Sequence, residues 1–227
     1  MAKKLPAFIN QTWHIDWCGL RLFCCQFDSQ AWQKTDDKLF EPLAYRDLQS
    51  AASKRKAEFI AGRLMAHRAL MHLGIETSEI GIGEHRSPIW PDGTLGSISH
   101  SQTMAVSGAS FREHRVYVGM DIESLIPPLQ AKQIGPLICT AEEWGVWRTT
   151  TLSLATFVTL IFSAKESVFK GVYPYVKRYL EFKDARLLSL DGQTLKFHLM
   201  TPELNICCDV AYQWRDDSVI TLMSDSV

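Results

Sequence analysis

Hydrophobic residues recur at helical spacing in two long stretches of the chain, which predict its two principal helices. The first helix is predicted over residues 51–73, and Gly74 suits the position just after its C-terminus. The second is predicted over residues 152–172; it is apolar on most of its surface, and Tyr173-Pro174 is expected to end it. The capping-box spacing of Thr140 and Glu143 indicates a further helix start.

Strand patterns occupy the rest of the chain. Residues 104–110 and 116–123 (VYVGMDIE) read as strands, whereas residues 83–97 are rich in proline and glycine and are predicted to form a loop. The C-terminal third alternates apolar and polar residues around a turn at Asp191-Gly192, which predicts an antiparallel sheet. Strands and helices are therefore combined on both sides of the chain's middle, and the predicted fold class is α+β.

A polar segment, Arg112 to Arg115, is the predicted boundary between two halves, residues 1–112 and 113–227. Composition adds little to this picture, since 46% of the residues are hydrophobic and 22% are charged, as in ordinary globular proteins. The formal net charge of -1 disfavours a nucleic-acid partner. The sequence shows no signal peptide and no apolar run long enough to span a membrane, so we expect a cytoplasmic protein. Its six cysteines include no metal-binding spacing and are expected to be reduced.

Two acids interrupt the apolar strand VYVGMDIE. Asp121 and Glu123 are two residues apart, and alternate residues of a strand project from the same face. Paired carboxylates repel unless a cation lies between them, and hard oxygen ligands suit Mg²⁺ or Mn²⁺. An exposed strand end, where acids are simply solvated, would explain the same spacing.

The second predicted helix carries Lys165, Glu166 and Lys170 after a long apolar stretch. Glu166 and Lys170 are four residues apart and share one helical face, as an ordinary surface ion pair also would. Glu166 could add a third oxygen to a cation at Asp121 and Glu123. Lys170 could then neutralise a phosphate oxygen.

Basic and hydroxyl side chains suggest an anion site in the first half. Arg55 and Arg63 are eight residues apart, a little over two helical turns, and so share a face, and positive charge near a helix start calls for an anionic neighbour. Ser99 and His100 stand at a predicted loop–strand junction, where they could donate to an anion. Arg86 adds a cation close to Trp90. Solvated charges and a polar turn remain alternative explanations.

In combination, SKRKAEFIAGR, RSPIWPDGTLGSISHS, VGMDIE and FSAKESVFK resemble the 4′-phosphopantetheinyl transferases, in particular the group of the enterobactin synthase component D type. The resemblance extends from about Ser53 to Trp214. It implies a pseudo-dimer of two similar α+β halves, each a small antiparallel sheet with a long helix, and an active site in the cleft between them. It also implies transfer of the phosphopantetheine arm of coenzyme A to a serine of an apo carrier protein.

The resemblance assigns roles to the matching residues. Asp121, Glu123 and Glu166 would bind Mg²⁺, with Mn²⁺ as an alternative, and the catalytic residues would be Asp121, Glu166 and Lys170. The residues implied to contact coenzyme A are Arg55, Arg63, His85 or Arg86, Ser99, His100, Lys165 and Lys170. The general base would be Glu166 itself or a metal-bound water.

The resemblance favours aryl or peptidyl carriers of siderophore synthesis as protein partners of a monomeric enzyme. Lys177 and Arg178, within residues 173–183, are candidates for contacts with an acidic carrier. Two other functions stay open. One is a different magnesium-dependent phosphoryl enzyme, and the other is a non-catalytic module that binds coenzyme A or a carrier.

Overall fold

The computed structural model describes residues 5–40, 48, 50–76 and 79–226. The chain forms two compact units, Met1–His114 and Arg115–Val227, which divide within the polar segment that follows Phe111. Each unit joins a small antiparallel sheet to one long helix. The α+β class predicted from the sequence is therefore confirmed.

The first unit is built on a four-stranded antiparallel sheet. Its elements are β1 (Ile9–Trp17), β2 (Leu20–Phe27), α1 (Ser53–His72), β3 (Gly81–Ile82), β4 (Pro88–Ile89), β5 (Thr94–His100) and β6 (Met104–Phe111). The sheet order is β1-β2-β6-β5, and β3 pairs with β4 separately. Helix α1 packs on β2, β5 and β6. A Cβ atom at Gly62 would lie 2.8 Å from the Ile98 side chain, so glycine allows α1 to approach β5 closely.

The second unit is built on a five-stranded antiparallel sheet in the order β7-β11-β10-β9-β8. Its elements are β7 (Arg115–Ser124), α2 (Pro128–Ile138), α3 (Ala141–Arg148), α4 (Leu154–Val176), β8 (Ala185–Asp191), β9 (Thr194–Met200), β10 (Asn205–Arg215) and β11 (Ser218–Ser226). Helix α4 packs along β7 and β11, and α2 packs on α4. In the ranges that the structure describes, no helix combines the length and apolarity needed to cross a membrane.

Local signals located several helix and turn positions correctly. Gly74, with a φ of +78°, follows the C-terminus of α1. Thr140 and Glu143 form the predicted capping box at the start of α3, with Thr140 Oγ1 accepting from the Glu143 N–H and Glu143 Oε2 accepting from the Thr140 N–H. Gly192, with a φ of +54°, stands in the turn that joins β8 to β9.

The predicted end of the second long helix is wrong, because α4 continues through Pro174 to Val176. Pro174 cannot donate a backbone hydrogen bond to the Lys170 carbonyl and its ring crowds that group, but only two further residues of the helix follow it. The helix ends instead at Lys177, which adopts a left-handed conformation and donates its N–H to the Tyr173 carbonyl over 2.9 Å.

The loop predicted over residues 83–97 is also wrong in part, since it includes β4 and the beginning of β5. The turn at Pro91 is short, because the Thr94 hydroxyl donates to the Pro91 carbonyl over 2.6 Å and the strand starts at once. Gly96 lies in β5 rather than in a turn. A Cβ atom there would come within 2.7 Å of the Trp90 ring, which explains the glycine.

Candidate functional site

The backbones of α4 and β7 approach each other closely beside the predicted metal ligands. A Cβ atom added to Gly119 would lie 2.7 Å from the Cα atom of Gly171, and a Cβ atom added to Gly171 would lie 3.0 Å from the Met223 sulfur. The glycines in VGMDIE and in α4 are therefore needed for packing. The close approach brings the carboxylates of β7 next to the polar side of α4.

Asp121 and Glu123 sit in the middle and at the end of β7, next to Glu166 and Lys170 of α4. Asp121 is buried, with 5% of its surface exposed, and the Lys170 ammonium lies 2.6 Å from its Oδ1 atom. The sequence paired Lys170 with Glu166 along the helix, whereas the structure pairs it with a carboxylate of the neighbouring strand. The four residues predicted for catalysis and metal binding are thus neighbours in this unit.

Burial, together with the charges of neighbouring carboxylates, raises the pKa of two carboxyl groups in this cluster. Burial, the charge of Asp121 and the charge of Glu166 raise the pKa of Glu123 to about 7, although Lys170 opposes the change. Burial also raises the pKa of Glu166, partly opposed by Lys170 and reinforced by Asp121. A carboxylate with a raised pKa is a better proton acceptor than an ordinary one at neutral pH.

The oxygen donors of Asp121, Glu123 and Glu166 fit a hard divalent cation, which would offset their negative charges. Across the described ranges, no three His, Cys, Asp or Glu side chains already stand close enough to enclose an ion. The ammonium of Lys170 supplies the positive charge at Asp121 instead. The donor chemistry therefore suits Mg²⁺ or Mn²⁺, and small side-chain adjustments would be needed to complete the ligand set.

Lys165, although next to Glu166 in sequence, is fully buried and does not belong to this cluster. Its side chain is 0% exposed, and its ammonium donates to Glu143 and to the carbonyl oxygens of Ile138 and Phe182, each over 2.9 Å. These bonds use the three donors of the ammonium group. The expectation that Lys165 contacts coenzyme A is therefore not retained, and its role is to hold α4 against the rest of the unit.

Sequence reasoning missed Glu143 as the partner of Lys165. Its carboxylate also accepts the Leu187 N–H over 2.7 Å, so one buried side chain joins α3, α4 and β8. The capping-box spacing was the available signal, but it located only a helix start. The buried charge follows from a tertiary contact between residues 22 positions apart.

Arg55 and His100 are brought together in the first unit. An Nη atom of Arg55 lies 3.2 Å from His100 Nε2, although the two residues are 45 positions apart. The Arg55 side chain remains 38% exposed and also lies 3.8 Å from Glu58. The basic start of α1 is partly compensated by Asp37, which accepts a 2.9 Å hydrogen bond from the ammonium of Lys56. An exposed guanidinium beside an imidazole can bind an anion such as a phosphate.

Arg63 and Ser99 are more buried than the sequence suggested. Arg63 is only 9% exposed, donates to the Gly81 carbonyl over 3.3 Å and lies 4.9 Å from the centre of the Phe59 ring. Ser99 is 5% exposed within β5. Eight residues of helix span about 12 Å, so Arg55 and Arg63 serve different positions along α1.

His85 and Arg86 occupy a tight exposed turn and both have positive φ angles, 54° and 63°. Non-glycine residues adopt this conformation at a cost, and such strain is concentrated at functional sites. The turn is closed by the Gly83 N–H, which donates to the Ser87 carbonyl over 2.8 Å. It presents both basic side chains to solvent.

The predicted carrier-binding residues follow α4. Arg178 forms a two-bond ion pair with Glu203, with both distances 3.0 Å and both side chains 39% exposed. Exposed pairs of this kind contribute little to stability, because solvent screens their charges. Lys177 occupies the left-handed position that ends the helix.

Comparison with known proteins gives two family matches that follow the two units. The model of the 4′-phosphopantetheinyl transferase N-terminal domain matches residues 44–110, and that of the 4′-phosphopantetheinyl transferase superfamily matches residues 117–222. The first match contains the basic helix and the His100 strand. The second contains the carboxylates and α4.

Curated relatives match over most of the chain. Enterobactin synthase component D of Salmonella typhimurium is 36% identical over 214 residues, which cover 92% of this chain and 88% of that protein. The 4′-phosphopantetheinyl transferase Svp of Streptomyces mobaraensis is 31% identical over 153 residues, 67% of this chain and 62% of that protein. A solved holo-(acyl-carrier-protein) synthase from Bacillus anthracis covers 50% of this chain and 97% of that one, with a TM-score of 0.39 and 22% identity. That structural similarity is too low to support an argument about this chain.

Proposed function

Because the chain belongs to the 4′-phosphopantetheinyl transferase superfamily, we propose that it transfers the phosphopantetheine arm of coenzyme A to a serine of an apo carrier protein. The serine oxygen attacks the phosphorus that bears the pantetheine arm, the pyrophosphate P–O bond breaks, and adenosine 3′,5′-bisphosphate leaves. The observation that carries this proposal is the group of Asp121, Glu123, Glu166 and Lys170 on β7 and α4.

Glu166 is the proposed general base. Its raised pKa suits acceptance of the proton from the carrier serine, directly or through a water. A divalent cation held by Asp121, Glu123 and Glu166 would neutralise charge on the pyrophosphate. Lys170, whose ammonium contacts Asp121 in the structure, would stabilise the pyrophosphate and the departing phosphate.

The first unit is proposed to bind the phosphates of coenzyme A. Arg55 and His100 form one adjacent pair of donors, and the exposed turn of His85 and Arg86 provides others. Arg63 is proposed to serve the 3′-phosphate, and the buried Ser99 lies beside His100 at the end of β5. In this proposal, residues 1–112 bind coenzyme A, and residues 113–227 carry out the metal-dependent catalysis.

Relatives named enterobactin synthase component D support aryl or peptidyl carriers of siderophore synthesis as the protein substrates. All six cysteines are free, which supports a reducing compartment, the cytoplasm. Lys177 and Arg178 remain proposed carrier contacts. We also propose that the enzyme acts as a monomer.

The transfer is tested by incubating the protein with coenzyme A, Mg²⁺ and a panel of apo carriers, followed by intact-mass measurement. Each modified carrier should gain the mass of one phosphopantetheine, and adenosine 3′,5′-bisphosphate should appear in equal amount. Asp121→Ala should abolish transfer because it removes both a proposed metal ligand and the partner of Lys170. Glu113→Gln, at an exposed site in the first unit, is the control and should transfer normally.

The same measurement separates the alternatives. Hydrolysis of coenzyme A without any carrier would favour a different phosphoryl enzyme. Coenzyme A binding with no modified carrier across the panel would favour a non-catalytic module. Normal transfer by Asp121→Ala would refute the metal assignment while leaving the transferase proposal standing.

A further inference from the structure

A buried group of three hydroxyl side chains lies between α4 and β11. Thr221 Oγ1 is 2.9 Å from Ser163 Oγ and 2.6 Å from Ser167 Oγ, and it donates to the Ser163 carbonyl oxygen over 2.9 Å. Ser167 Oγ also lies 3.1 Å from the Thr221 carbonyl oxygen, a second acceptor within reach of its single proton. All three residues are 0% exposed. One threonine of the sheet is thus held by two serines one helical turn apart.

The strand register connects this hydroxyl group to the carboxylates. Thr221 of β11 lies directly opposite Asp121 of β7, and opposed residues of antiparallel strands project from the same face. The adjacent same-face pairs on the two strands are Met223 with Gly119 and Val219 with Glu123. Thr221 therefore stands beside the central carboxylate of the group.

Helix α4 carries a proposed metal ligand among the residues that contact Thr221. Glu166 lies in sequence between Ser163 and Ser167, the two residues that contact Thr221. One turn further along α4, Lys170 contacts Asp121 and Gly171 packs against Gly119. A shift of α4 along or around its axis would break the hydroxyl contacts and move Glu166 relative to the two strand carboxylates.

Hydrogen bonds hold a helix at one position on a sheet more strictly than apolar packing does. Apolar side chains tolerate small sliding motions, whereas a hydroxyl bond weakens steeply when its distance or angle changes. Buried hydroxyls also carry a large penalty when left unpaired, so they favour a single arrangement.

We propose that Thr221 is a positioning residue, which fixes α4 against β7 and β11 so that the carboxylates of Asp121, Glu123 and Glu166 converge on one divalent cation. The inference rests on the metal site of the proposed function. In this proposal Thr221 is neither a metal ligand nor a substrate contact, since its side chain is fully buried. Its effect is on the geometry of the ligand set, where supporting interactions commonly change metal affinity by about 10–100-fold.

The test measures Mn²⁺ affinity by electron paramagnetic resonance in the presence of coenzyme A. Thr221→Val preserves the side-chain shape and removes the hydroxyl, and it should weaken Mn²⁺ binding by about tenfold or more. Thr221→Ser restores a hydroxyl and should recover most of that affinity. Thr94→Val is the matched control, since Thr94 is 1% exposed in the first unit and its hydroxyl bonds only to the Pro91 carbonyl among the hydrogen bonds described for it. The control should lose stability without losing Mn²⁺ affinity.

A folded Thr221→Val protein that binds Mn²⁺ as tightly as the wild type would overturn the positioning role. The same holds if Thr94→Val weakens binding equally, because the effect would then be one of general destabilisation. If Thr221→Val does not fold, Ser163→Ala replaces it, because it removes one hydroxyl contact of Thr221 and keeps the contact with Ser167. Ser163→Ala should then weaken Mn²⁺ binding, and unchanged affinity would overturn the positioning role. Absence of saturable Mn²⁺ binding in the wild type would overturn the metal site as well, which distinguishes the two failures.

Discussion

Glu123 is a single residue whose ionisation links stability to the proposed metal site. Its folded-state pKa of about 7 lies above the ordinary value of 4.5, so the metal-free fold favours the protonated form. The resulting stability is complete below pH 4.5 and is lost as the pH rises through about 7. A divalent cation would reverse this trend by stabilising the charged form.

Glu123→Gln should therefore stabilise the metal-free protein at pH 8 while abolishing transfer. We expect the thermal midpoint to rise by about 2–4 °C, equivalent to about 1 kcal/mol, with little change at pH 4.5. Thermal unfolding in chelator at both pH values measures this. Glu113→Gln, 77% exposed, should show no pH-dependent difference from the wild type. A lower midpoint for Glu123→Gln at pH 8 would contradict the view that burial and the neighbouring carboxylates disfavour charged Glu123 in the fold.

Substitution by glycine can show whether His85 or Arg86 contacts coenzyme A, because both residues have a left-handed backbone that glycine adopts easily. Glycine relieves about 1–2 kcal/mol of strain at such a position but costs about 0.5–1 kcal/mol of chain entropy, so stability should change little. Arg86→Gly should weaken coenzyme A binding by about tenfold, because a charge-assisted phosphate contact is lost. Titration calorimetry measures this, and His85→Gly should have the smaller effect.

Asp216→Gly provides the control for the turn, because Asp216 has a φ of 50° in the second unit. It should leave coenzyme A affinity unchanged. The opposite ranking of His85→Gly and Arg86→Gly would assign the coenzyme contact to His85.

The three elements α3, α4 and β8 are joined by the buried pair of Lys165 and Glu143. Burial lowers the pKa of Lys165, although Glu143 opposes this change. Breaking such a pair leaves an uncompensated buried charge. The charged residues of α4 thus include one structural lysine, Lys165, and one lysine that contacts the carboxylate group, Lys170.

Lys165→Met should reduce the free energy of unfolding by about 3–5 kcal/mol, because Glu143 would stay buried without its partner. Urea unfolding measures the change. Lys132→Met, at an exposed position of α2, should stay within about 0.5 kcal/mol of the wild type. Unchanged stability combined with weaker coenzyme A binding in Lys165→Met would restore the coenzyme-binding role that the sequence suggested.

On the scale of the whole molecule, the two units are proposed to contribute to different kinetic constants. Arg63→Ala should raise the KM for coenzyme A by about tenfold, with little effect on dephospho-coenzyme A and on kcat. Steady-state kinetics with both substrates measures this. Arg68→Ala, on the same helix, is the control and should change neither constant. Equal losses for both substrates with Arg63→Ala would refute its role at the 3′-phosphate.

Much of the fold was accessible from local sequence patterns. Helical spacing placed α1 and most of α4, and the spacing of Thr140 and Glu143 located the start of α3. These signals depend on residues a few positions apart. The strands β1 and β2 were not predicted. In β1, Trp13, Ile15 and Trp17 do alternate with polar residues, whereas the consecutive apolar residues Phe23, Cys24 and Cys25 break the alternation in β2. Pro174 was predicted to end α4, but the helix continues to Val176 and ends where Lys177 adopts a left-handed conformation.

The sequence by itself determined the α+β class, the family resemblance and the carboxylates and basic residues that could carry the chemistry. It could do so because residue type and short spacing limit both helix formation and ligand chemistry. Only the tertiary structure decided that Lys170 pairs with Asp121, that Lys165 is a buried structural residue and that Thr221 contacts α4. Those contacts join residues 22 to 58 positions apart, and they depend on how a helix packs on a sheet rather than on any local pattern.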